Sequence, residues 1–412
     1  MNTRLYTSSI AISIIFTILC SGIAFSSNLE WNEMKSTTSA QLQDIWGQST
    51  NDLYAVGFSR EFNSSETQQD TILHYNGKWW QEMSIDSKAG LSAIWGTSSS
   101  DIFAAGSSIL HYDGKNWVDM ETGLDDFYLT DLWGTASDSI YSVGFGYAND
   151  GYGGIIMSYD GQAWTLIDDI DTTTLSSIWG ASSDNIFTVG DGVYHFDGQA
   201  WTRSDSPLTQ ADFYAVWGAS ASDVYAGGKG LIHFDGHDWT EISTGLEDVE
   251  IHDIWGASAS DIYAVGKKNI SSDITTLVLH YDGQAWSEIT LDDTALDING
   301  IWGLTPNDIY IVGYLRDYDS REDSSSILYS GPDSSGICVS SKLLDADDPR
   351  LHVLRDYRDN VLSKSTAGQR LITLYYNCSA AMSAMLDTQP MLKKISAKAL
   401  KTVANVLDGM LL

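Results

Sequence analysis

One motif recurs seven times along the chain and constrains its fold more than any other feature. A Trp-Gly pair returns at intervals of 38 to 49 residues, followed each time by a run like Asp-Ile-Tyr-Ala-Val-Gly and, in the first six repeats, by another like His-Tyr-Asp-Gly-x-x-Trp. The tryptophans of these pairs are Trp46, Trp95, Trp133, Trp179, Trp217, Trp255 and Trp302. Short runs rich in Ile, Val, Tyr and Phe favour β-strands. Each unit therefore predicts four strands, A to D, which is typical of a β-propeller blade.

The turns between strands C and D carry an Asp-Gly or Asn-Gly pair, such as Asp113-Gly114 and Asn76-Gly77. Such pairs favour two-residue hairpin turns, because both central residues need positive φ. We therefore expect two-residue hairpins between strands C and D.

The seventh repeat stops at Gly331-Pro332 without a D-strand tryptophan, whereas the stretch 30–34 contains Trp31 and matches strand D of the other repeats. The sequence therefore predicts a seven-bladed, all-β propeller over residues 25–336, closed by its N-terminal strand.

These units resemble the propeller repeats of bacterial exported proteins, over about Leu29 to Gly331. The Asp-Gly-x-x-Trp piece is similar to the Asp-box of sialidases, although only the run from Ser158 to Trp164 carries the serine that precedes that box. The Asp-box occurs in enzymes and non-enzymes alike. The resemblance therefore implies a fold and not an activity.

Residues 1–24 predict a signal peptide. Arg4 precedes the apolar run from Ile10 to Leu19, and Gly22-Ile23-Ala24 fits the small-x-small rule for cleavage before Phe25. The run is short for a membrane span. We therefore expect an exported protein, located in the periplasm, at the cell surface or outside the cell. Lipidation at Cys20 is the alternative, and it would add membrane association.

Residues 337–412 lose the repeat and show helical spacing, with Asp348-Pro349 as an N-cap and Thr366 opening a capping box. We expect a small all-α domain here, whose last helix docks against the other two, and membrane association through these helices is the alternative. Two cysteines, Cys338 and Cys378, form a disulfide in an exported protein or remain buried thiols.

The same stretch resembles the CFI-box C-terminal domain of bacterial exported proteins, carried by Cys338, the run 354–359, Gly368, Tyr375-Tyr376 and Ser379. That resemblance implies a sorting or anchoring role. The chain departs from the pattern at the box itself, where Cys338 is followed by Val339-Ser340-Ser341-Lys342 rather than Phe-Ile-Ala-Thr.

Charge is distributed unevenly. The formal net charge is −33, and residues before Cys338 hold 12 Lys and Arg against 48 Asp and Glu. Such a surface repels phosphate backbones, which excludes nucleic acid as a partner of the propeller. The acidity provides solubility or attracts cations.

Two sets of polar residues repeat from blade to blade. The histidines occupy one position in strand C and the aspartates begin strand B: His74, His111, His195, His233 and His280, with Asp52, Asp101, Asp223, Asp261 and Asp308. Because residues repeated around a ring do not converge on one metal, we interpret the histidines as packing or turn-bonding residues. We interpret the aspartates as turn residues that bond nearby backbone.

The connection between strands B and C is short in blades 2, 4 and 5 and long in blades 1, 3, 6 and 7. These connections share one face of a propeller with the D–A connections, and insertions on one face of a repeat array often mark the binding face. Surface drift is the alternative. The candidate ligand-binding residues are Arg60, Phe62, Tyr147, Tyr152, Arg316, Tyr318 and Arg321.

Three aspartates, Asp44, Asp131 and Asp253, stand two residues before the A-strand tryptophan in blades 1, 3 and 6. Strand A lies nearest the axis of a propeller, so their carboxylates would surround the channel. Oxygen ligands suit hard cations, which predicts a Ca²⁺ site. Solvated channel carboxylates without a metal are the alternative, and the sequence implies no other cofactor.

No Ser-His-Asp signature or metal-ligand spacing appears in the sequence. We therefore expect a non-enzymatic binding or scaffold propeller that holds a protein or glycan on its B–C face. The alternative is a sialidase-like hydrolase or lyase acting on glycans at the same face. That activity would need arginines converging with Asp or Glu and Tyr.

Overall fold

The computed structural model describes residues 31–36, 38–59, 69–148, 151–167, 170–208, 211–246, 248–270, 273–291, 296–306, 308–316 and 323–331. Within these ranges the chain forms 28 β-strands and no helix. The strands make seven sheets of four, which confirms the seven-bladed propeller. Among these described residues, no helix is long and apolar enough to span a membrane.

The strands follow the predicted A to D order in every blade. Blade 1 contains β2 (Gln41–Ser49), β3 (Asp52–Ser59), β4 (Gln69–Tyr75) and β5 (Trp80–Glu82). Blade 2 contains β6 (Ala93–Ser98), β7 (Asp101–Ala105), β8 (Ile109–Tyr112) and β9 (Trp117–Met120). Blade 3 contains β10 (Phe127–Ala136), β11 (Ser139–Ala148), β12 (Gly151–Tyr159) and β13 (Trp164–Ile167). Blade 4 contains β14 (Leu175–Ser182), β15 (Asn185–Gly190), β16 (Val193–Phe196) and β17 (Trp201–Ser204).

The remaining blades repeat this arrangement. Blade 5 contains β18 (Phe213–Ser220), β19 (Asp223–Gly228), β20 (Gly230–Phe234) and β21 (Trp239–Glu241). Blade 6 contains β22 (Val249–Ser258), β23 (Asp261–Ile270), β24 (Asp273–Tyr281) and β25 (Trp286–Glu288). Blade 7 contains β26 (Leu296–Thr305), β27 (Asp308–Arg316) and β28 (Asp323–Ser330), and its fourth strand is β1 (Trp31–Glu33).

The N-terminal strand completes the last blade, as the sequence predicts. The strand order of blade 7 is β1-β28-β27-β26. Just after β1, the backbone N–H of Met34 donates to the carbonyl of Ile327 over 2.8 Å. The Met34 side chain packs on the core cluster shared by blades 1 and 7. The ring is therefore closed by pairing the start of the described chain with its last repeat.

The Trp-Gly pair owes its recurrence to packing between blades. In all seven blades, the indole of the A-strand tryptophan lies over the glycine of the Trp-Gly pair in the next blade, with Trp302 of blade 7 over Gly47 of blade 1. A Cβ added at Gly180 would lie 2.5 Å from Cη2 of Trp133. The glycine is required because any side chain would occupy the space of the preceding blade's indole.

The hydrophobic core lies between neighbouring blades rather than at the centre of the ring. Five of its clusters join blades 1 and 2, 2 and 3, 3 and 4, 4 and 5, and 5 and 6. A sixth cluster joins blades 1 and 7. Burial of both faces of each sheet explains why the strand runs read as nearly continuous Ile, Val, Leu and aromatic residues.

The C–D turns differ from the predicted two-residue hairpins. In blade 2 the connection spans four residues between Tyr112 and Trp117, and only Gly114 has positive φ, at 88°. Oδ1 of Asp113 accepts the backbone N–H groups of Lys115 and Asn116, each at 2.8 Å. The Asp side chain therefore holds the turn in place of a second residue with positive φ.

The chain divides into two compact units. The larger comprises residues 33–304 and 309–329; the smaller comprises 1–32, 305–308 and 330–412. The predicted signal peptide, Cys20, the helical C-terminal domain, and the Cys338 and Cys378 pair all lie outside the described residues.

Candidate functional site

The long B–C connections extend strands B and C instead of forming open loops. In blade 3, β11 and β12 pair without interruption from Ile140↔Tyr159 to Ala148↔Gly151. In blade 6, β23 and β24 pair from Ile262↔Tyr281 to Ile270↔Asp273. Blade 2, by contrast, pairs only from Ile102↔Tyr112 to Ala105↔Ile109. The long connections predicted for these two blades therefore take the form of extended hairpins that project from the B–C face.

The blade 3 hairpin carries a ladder of four aromatic rings. Tyr128 of β10 stacks on its cross-strand partner Phe145, with ring centroids 5.6 Å apart. Phe145 contacts Tyr152 at 6.2 Å, and Tyr152 meets Tyr147 edge-on at 5.3 Å. Since residues two apart on a strand share a face, these four rings line one face of the blade 3 sheet. We call them the aromatic ladder.

The outer end of the aromatic ladder is open to solvent. Tyr147 is 60% exposed and Tyr152 is 56% exposed. Among the described residues the other exposed large hydrophobic side chains are Trp79, Val118 and Leu304, and each is isolated in sequence from the rest. Paired exposed aromatics are unusual on a soluble surface, where large apolar patches generally mark binding sites.

The inner end of the aromatic ladder is anchored to blade 2. The hydroxyl of Tyr128 donates to the carbonyl of Gly90 over 2.6 Å. The B–C turn of blade 2 is short, and its Gly106 carbonyl accepts the N–H of Leu129 at 2.8 Å. Because the B–C hairpin of blade 2 is short, the longer B–C hairpin of blade 3 extends beyond it.

Carboxylates lie at both edges of this hairpin. On the β11 side, the backbone carbonyl of Asp126 accepts the N–H of Tyr147 at 3.1 Å, and Asp125 and Asp126 are both exposed. On the β12 side, the carbonyl of Thr172 accepts the N–H of Gly154 at 2.9 Å, next to exposed Asp171. Exposed aspartates therefore lie beside both strands of the hairpin.

Thr172, which lies beside β12, is hydrogen-bonded to blade 4. Oδ1 of Asp191, in the short B–C turn of that blade, accepts the Thr172 hydroxyl at 2.6 Å and the Tyr194 hydroxyl at 2.8 Å. A guanidinium nitrogen of Arg203 donates to the Asp191 carbonyl at 2.8 Å. Burial would raise the pKa of the Asp191 carboxyl, but the hydrogen bonds that it accepts from Thr172, Thr173 and Tyr194 lower that pKa below its usual value.

Of the residues predicted to bind a ligand, Tyr147 and Tyr152 are brought together. Arg60, Phe62, Tyr318 and Arg321 lie outside the described residues, and Arg316 is described only as the end of β27. The prediction missed Tyr128, Phe145 and the flanking carboxylates. Alternating aromatics at 145 and 147 are visible in the sequence, but their meeting with Tyr128 depends on the β10–β11 register.

The second predicted site consists of Asp44, Asp131 and Asp253, which we call the axial aspartates. Each follows a β-bulge in strand A. Each accepts two backbone N–H groups, its own following residue's and that of the next blade. Oδ1 of Asp253 accepts Ile254 N–H and Oδ2 accepts Ile301 N–H, both at 2.8 Å. The carboxylate thus joins two adjacent A strands.

This bridging accounts for the spacing of the axial aspartates around the ring. Asp44 accepts backbone N–H groups from blades 1 and 2, Asp131 from blades 3 and 4, and Asp253 from blades 6 and 7. Blade 5 is served by Ser177, whose hydroxyl donates to Asp131 at 2.8 Å and accepts the Val216 N–H at 3.2 Å. The N–H group freed at this position therefore has a side-chain acceptor in all seven blades.

The surroundings of the axial aspartates favour their protonated forms. Burial raises the pKa of Asp131 to about 6, although the amides and Ser177 act in the opposite direction. Burial, with the charge of Asp131, raises the pKa of Asp253 to about 7. Burial and the charges of the other two raise the pKa of Asp44 well above its usual range.

The axial aspartates are therefore structural bridges whose oxygens accept amide hydrogens. Across the described ranges, no group of three or more His, Cys, Asp or Glu side chains is arranged to hold a metal ion. A Ca²⁺ ion at these residues stays a prediction from the sequence.

The repeated histidines are structural as well. Nε2 of His74 donates to Oδ1 of Asp52 at 2.7 Å, and its ring stacks on Tyr54 with centroids 4.4 Å apart. His111, His233 and His280 bond the equivalent aspartate, and His195 bonds Asn185 at 3.3 Å. The aspartates that begin strand B in these blades thus bond a histidine side chain rather than the predicted backbone. Asp308 instead accepts the Thr305 hydroxyl at 2.7 Å.

Comparison with known proteins shows the fold alone. No protein-family model and no curated protein matches the chain. Solved propellers do match, at low identity. The chain is similar to YCF48 bound to D1 peptide, with 14% identity, a TM-score of 0.55, and 75% of this chain and 99% of that one covered. It is similar to YCF48 from Cyanidioschyzon merolae, with 12% identity, a TM-score of 0.52, and 73% and 99% covered. It is also similar to the WD40 β-propeller domain of Doa1, with 10% identity, a TM-score of 0.56, and 75% and 99% covered.

Proposed function

We propose that this chain is an exported binding propeller that holds a partner on its B–C face, with Tyr147 and Tyr152 at the centre of the contact. The observation that carries the proposal is the exposure of these two rings at the end of the aromatic ladder. Tyrosine is enriched among residues that dominate binding energy, because it offers a large area at low entropic cost. Export rests on the apolar N-terminal segment and its cleavage pattern.

A rigid support strengthens the proposal. The exposed rings stand on paired strands and are backed by Phe145 and Tyr128, the latter tied to Gly90. Rings held in this way lose little freedom on binding, which favours affinity. The fold is compatible with such a role, because a propeller of this kind, YCF48, was solved with a D1 peptide bound. A glycan-active hydrolase or lyase at the same face is the alternative, and it requires arginines that converge with Asp or Glu and Tyr.

The test compares three proteins beginning at Phe25 on peptide and glycan arrays: the parent, Tyr147→Ala with Tyr152→Ala, and Trp79→Ala. Trp79 is a matched control because it is 57% exposed and lies in a C–D turn, on the opposite face. We expect the double variant to lose the ligands of the parent, and Trp79→Ala to keep them. Retention by the double variant and loss by Trp79→Ala would overturn the proposal.

A further inference from the structure

Exposed aspartates lie beside the hairpin that carries the aromatic ladder. The combination of aromatic rings and carboxylates indicates which chemical class of partner would bind there. Asp125 and Asp126 border the hairpin at β11, and Asp171 borders it beside β12. All three are exposed, and no lysine or arginine lies among the described residues from 116 to 202. The blade 3 hairpin itself therefore presents π faces and carboxylates, while the guanidinium of Arg203 lies at the Asp191 turn of blade 4.

We infer that the partner is a basic polypeptide segment that lays arginine or lysine side chains on Tyr147 and Tyr152. This inference rests on the proposed function and names the chemistry of its ligand. A guanidinium is attracted to the face of an aromatic ring and stacks on it, and nearby carboxylates pair with its N–H groups. The wider charge agrees, since residues before Cys338 hold 48 acidic against 12 basic side chains.

The difference in length between the B–C hairpins of blades 2 and 3 favours a partner segment in an extended conformation. The B–C turn of blade 2 is short and lies at Gly106 to Ser108. Strands B and C of blade 3, by contrast, remain paired as far as Ala148↔Gly151. The ladder face is consequently reached from the side of blade 2, along the line from Gly90 through Tyr128 to Tyr147. A chain lying along this line would place successive side chains over successive rings.

The experiment is a selection from a random 12-residue peptide library displayed on phage. The parent protein is the target, and counter-selection on the Tyr147→Ala, Tyr152→Ala variant removes peptides that bind merely because the protein is acidic. We expect the retained peptides to be enriched in arginine or lysine. The best peptide is then synthesised with each arginine or lysine replaced by its neutral citrulline or acetyl-lysine counterpart.

Binding of that peptide is measured by calorimetry with four proteins. We expect the neutral peptide to bind about tenfold more weakly to the parent. Tyr147→Phe with Tyr152→Phe should bind like the parent, since the rings remain, whereas Tyr147→Leu with Tyr152→Leu should bind about tenfold more weakly. Asp125→Asn with Asp126→Asn should weaken binding several-fold at low salt and less at high salt. Asparagine suits position 126, where φ is 52°.

The outcomes separate this inference from the proposed function. The selected ligands could instead be neutral or acidic peptides, or a glycan, whose binding depends on Tyr147 and Tyr152. That result would overturn the inference of a basic partner, but it would still support binding at the B–C face. Equal affinity for the basic peptide and its neutral counterpart would overturn it too. If neither selection nor arrays distinguish the parent from the Ala double variant, the proposed function fails along with the inference.

Discussion

Replacing Asp253 with alanine should destabilise the propeller more at pH 5 than at pH 8. Alanine fits this position, since Ala93 and Ala215 occupy it in blades 2 and 5. The substitution removes the acceptor of two N–H groups, Ile254 and Ile301. Leaving a buried donor unpaired costs about 1–3 kcal/mol, so the loss from both amides is about 2–6 kcal/mol.

The pH dependence comes from the carboxyl group itself. Burial raises its pKa from 3.8 to about 7, so the folded state binds a proton that the unfolded state has released between those values. The stability due to that proton is present at low pH and is lost as pH rises through about 7. Each pH unit from 5 to 7 lowers this contribution to the free energy of unfolding by about 1.4 kcal/mol, which makes about 3 kcal/mol in total.

The assay is urea unfolding followed by tryptophan fluorescence at pH 5 and pH 8, with equal m-values as the check that both proteins unfold alike. The difference in free energy of unfolding between parent and Asp253→Ala should be about 3 kcal/mol larger at pH 5. Asp205→Ala removes an exposed carboxylate and should show no comparable change. A difference that is the same at both pH values would refute the assignment of a raised pKa to the bridging carboxyl.

Three further outcomes follow from the ring. Gly180→Ala should cost about 1–3 kcal/mol of unfolding free energy by urea titration, because its Cβ would strike the indole of Trp133; an unchanged midpoint would contradict the packing. Deleting residues 29–34 should lower the Tm by roughly 5 °C or more in a thermal melt, since blade 7 loses its outer strand; a parent-like Tm would contradict the closure. If the axial aspartates hold the predicted Ca²⁺ ion, the Tm in 2 mM Ca²⁺ should exceed the Tm in chelator, and coincident melts would remove the cation site.

Most of the fold was predictable because each blade repeats its own local pattern. The Trp-Gly spacing, the aromatic strand runs and the missing strand D of the last repeat were sufficient to predict seven blades and their closure by Trp31. The C–D turns were predicted wrongly, since the side chain of Asp113 holds a four-residue connection. Dipeptide preferences alone cannot reveal that longer turn.

The sites were less predictable because their partners come from different blades. Asp44, Asp131 and Asp253 are visible in the sequence as acids near the axis, but the amides they accept belong to two separate A strands. In the same way, Tyr147 and Tyr152 are visible as insertion residues. Their support by Tyr128 depends on strand register and on the short turn of blade 2.

The most direct test of the binding face is hydroxyl-radical footprinting of the parent protein with and without the peptide obtained by selection. Radicals oxidise exposed aromatic rings, so Tyr147, Tyr152 and Trp79 all report in the free protein. The account predicts that saturating peptide protects Tyr147 and Tyr152 and leaves the oxidation of Trp79 unchanged. Unchanged oxidation of both tyrosines, with protection elsewhere on the ring, would contradict it.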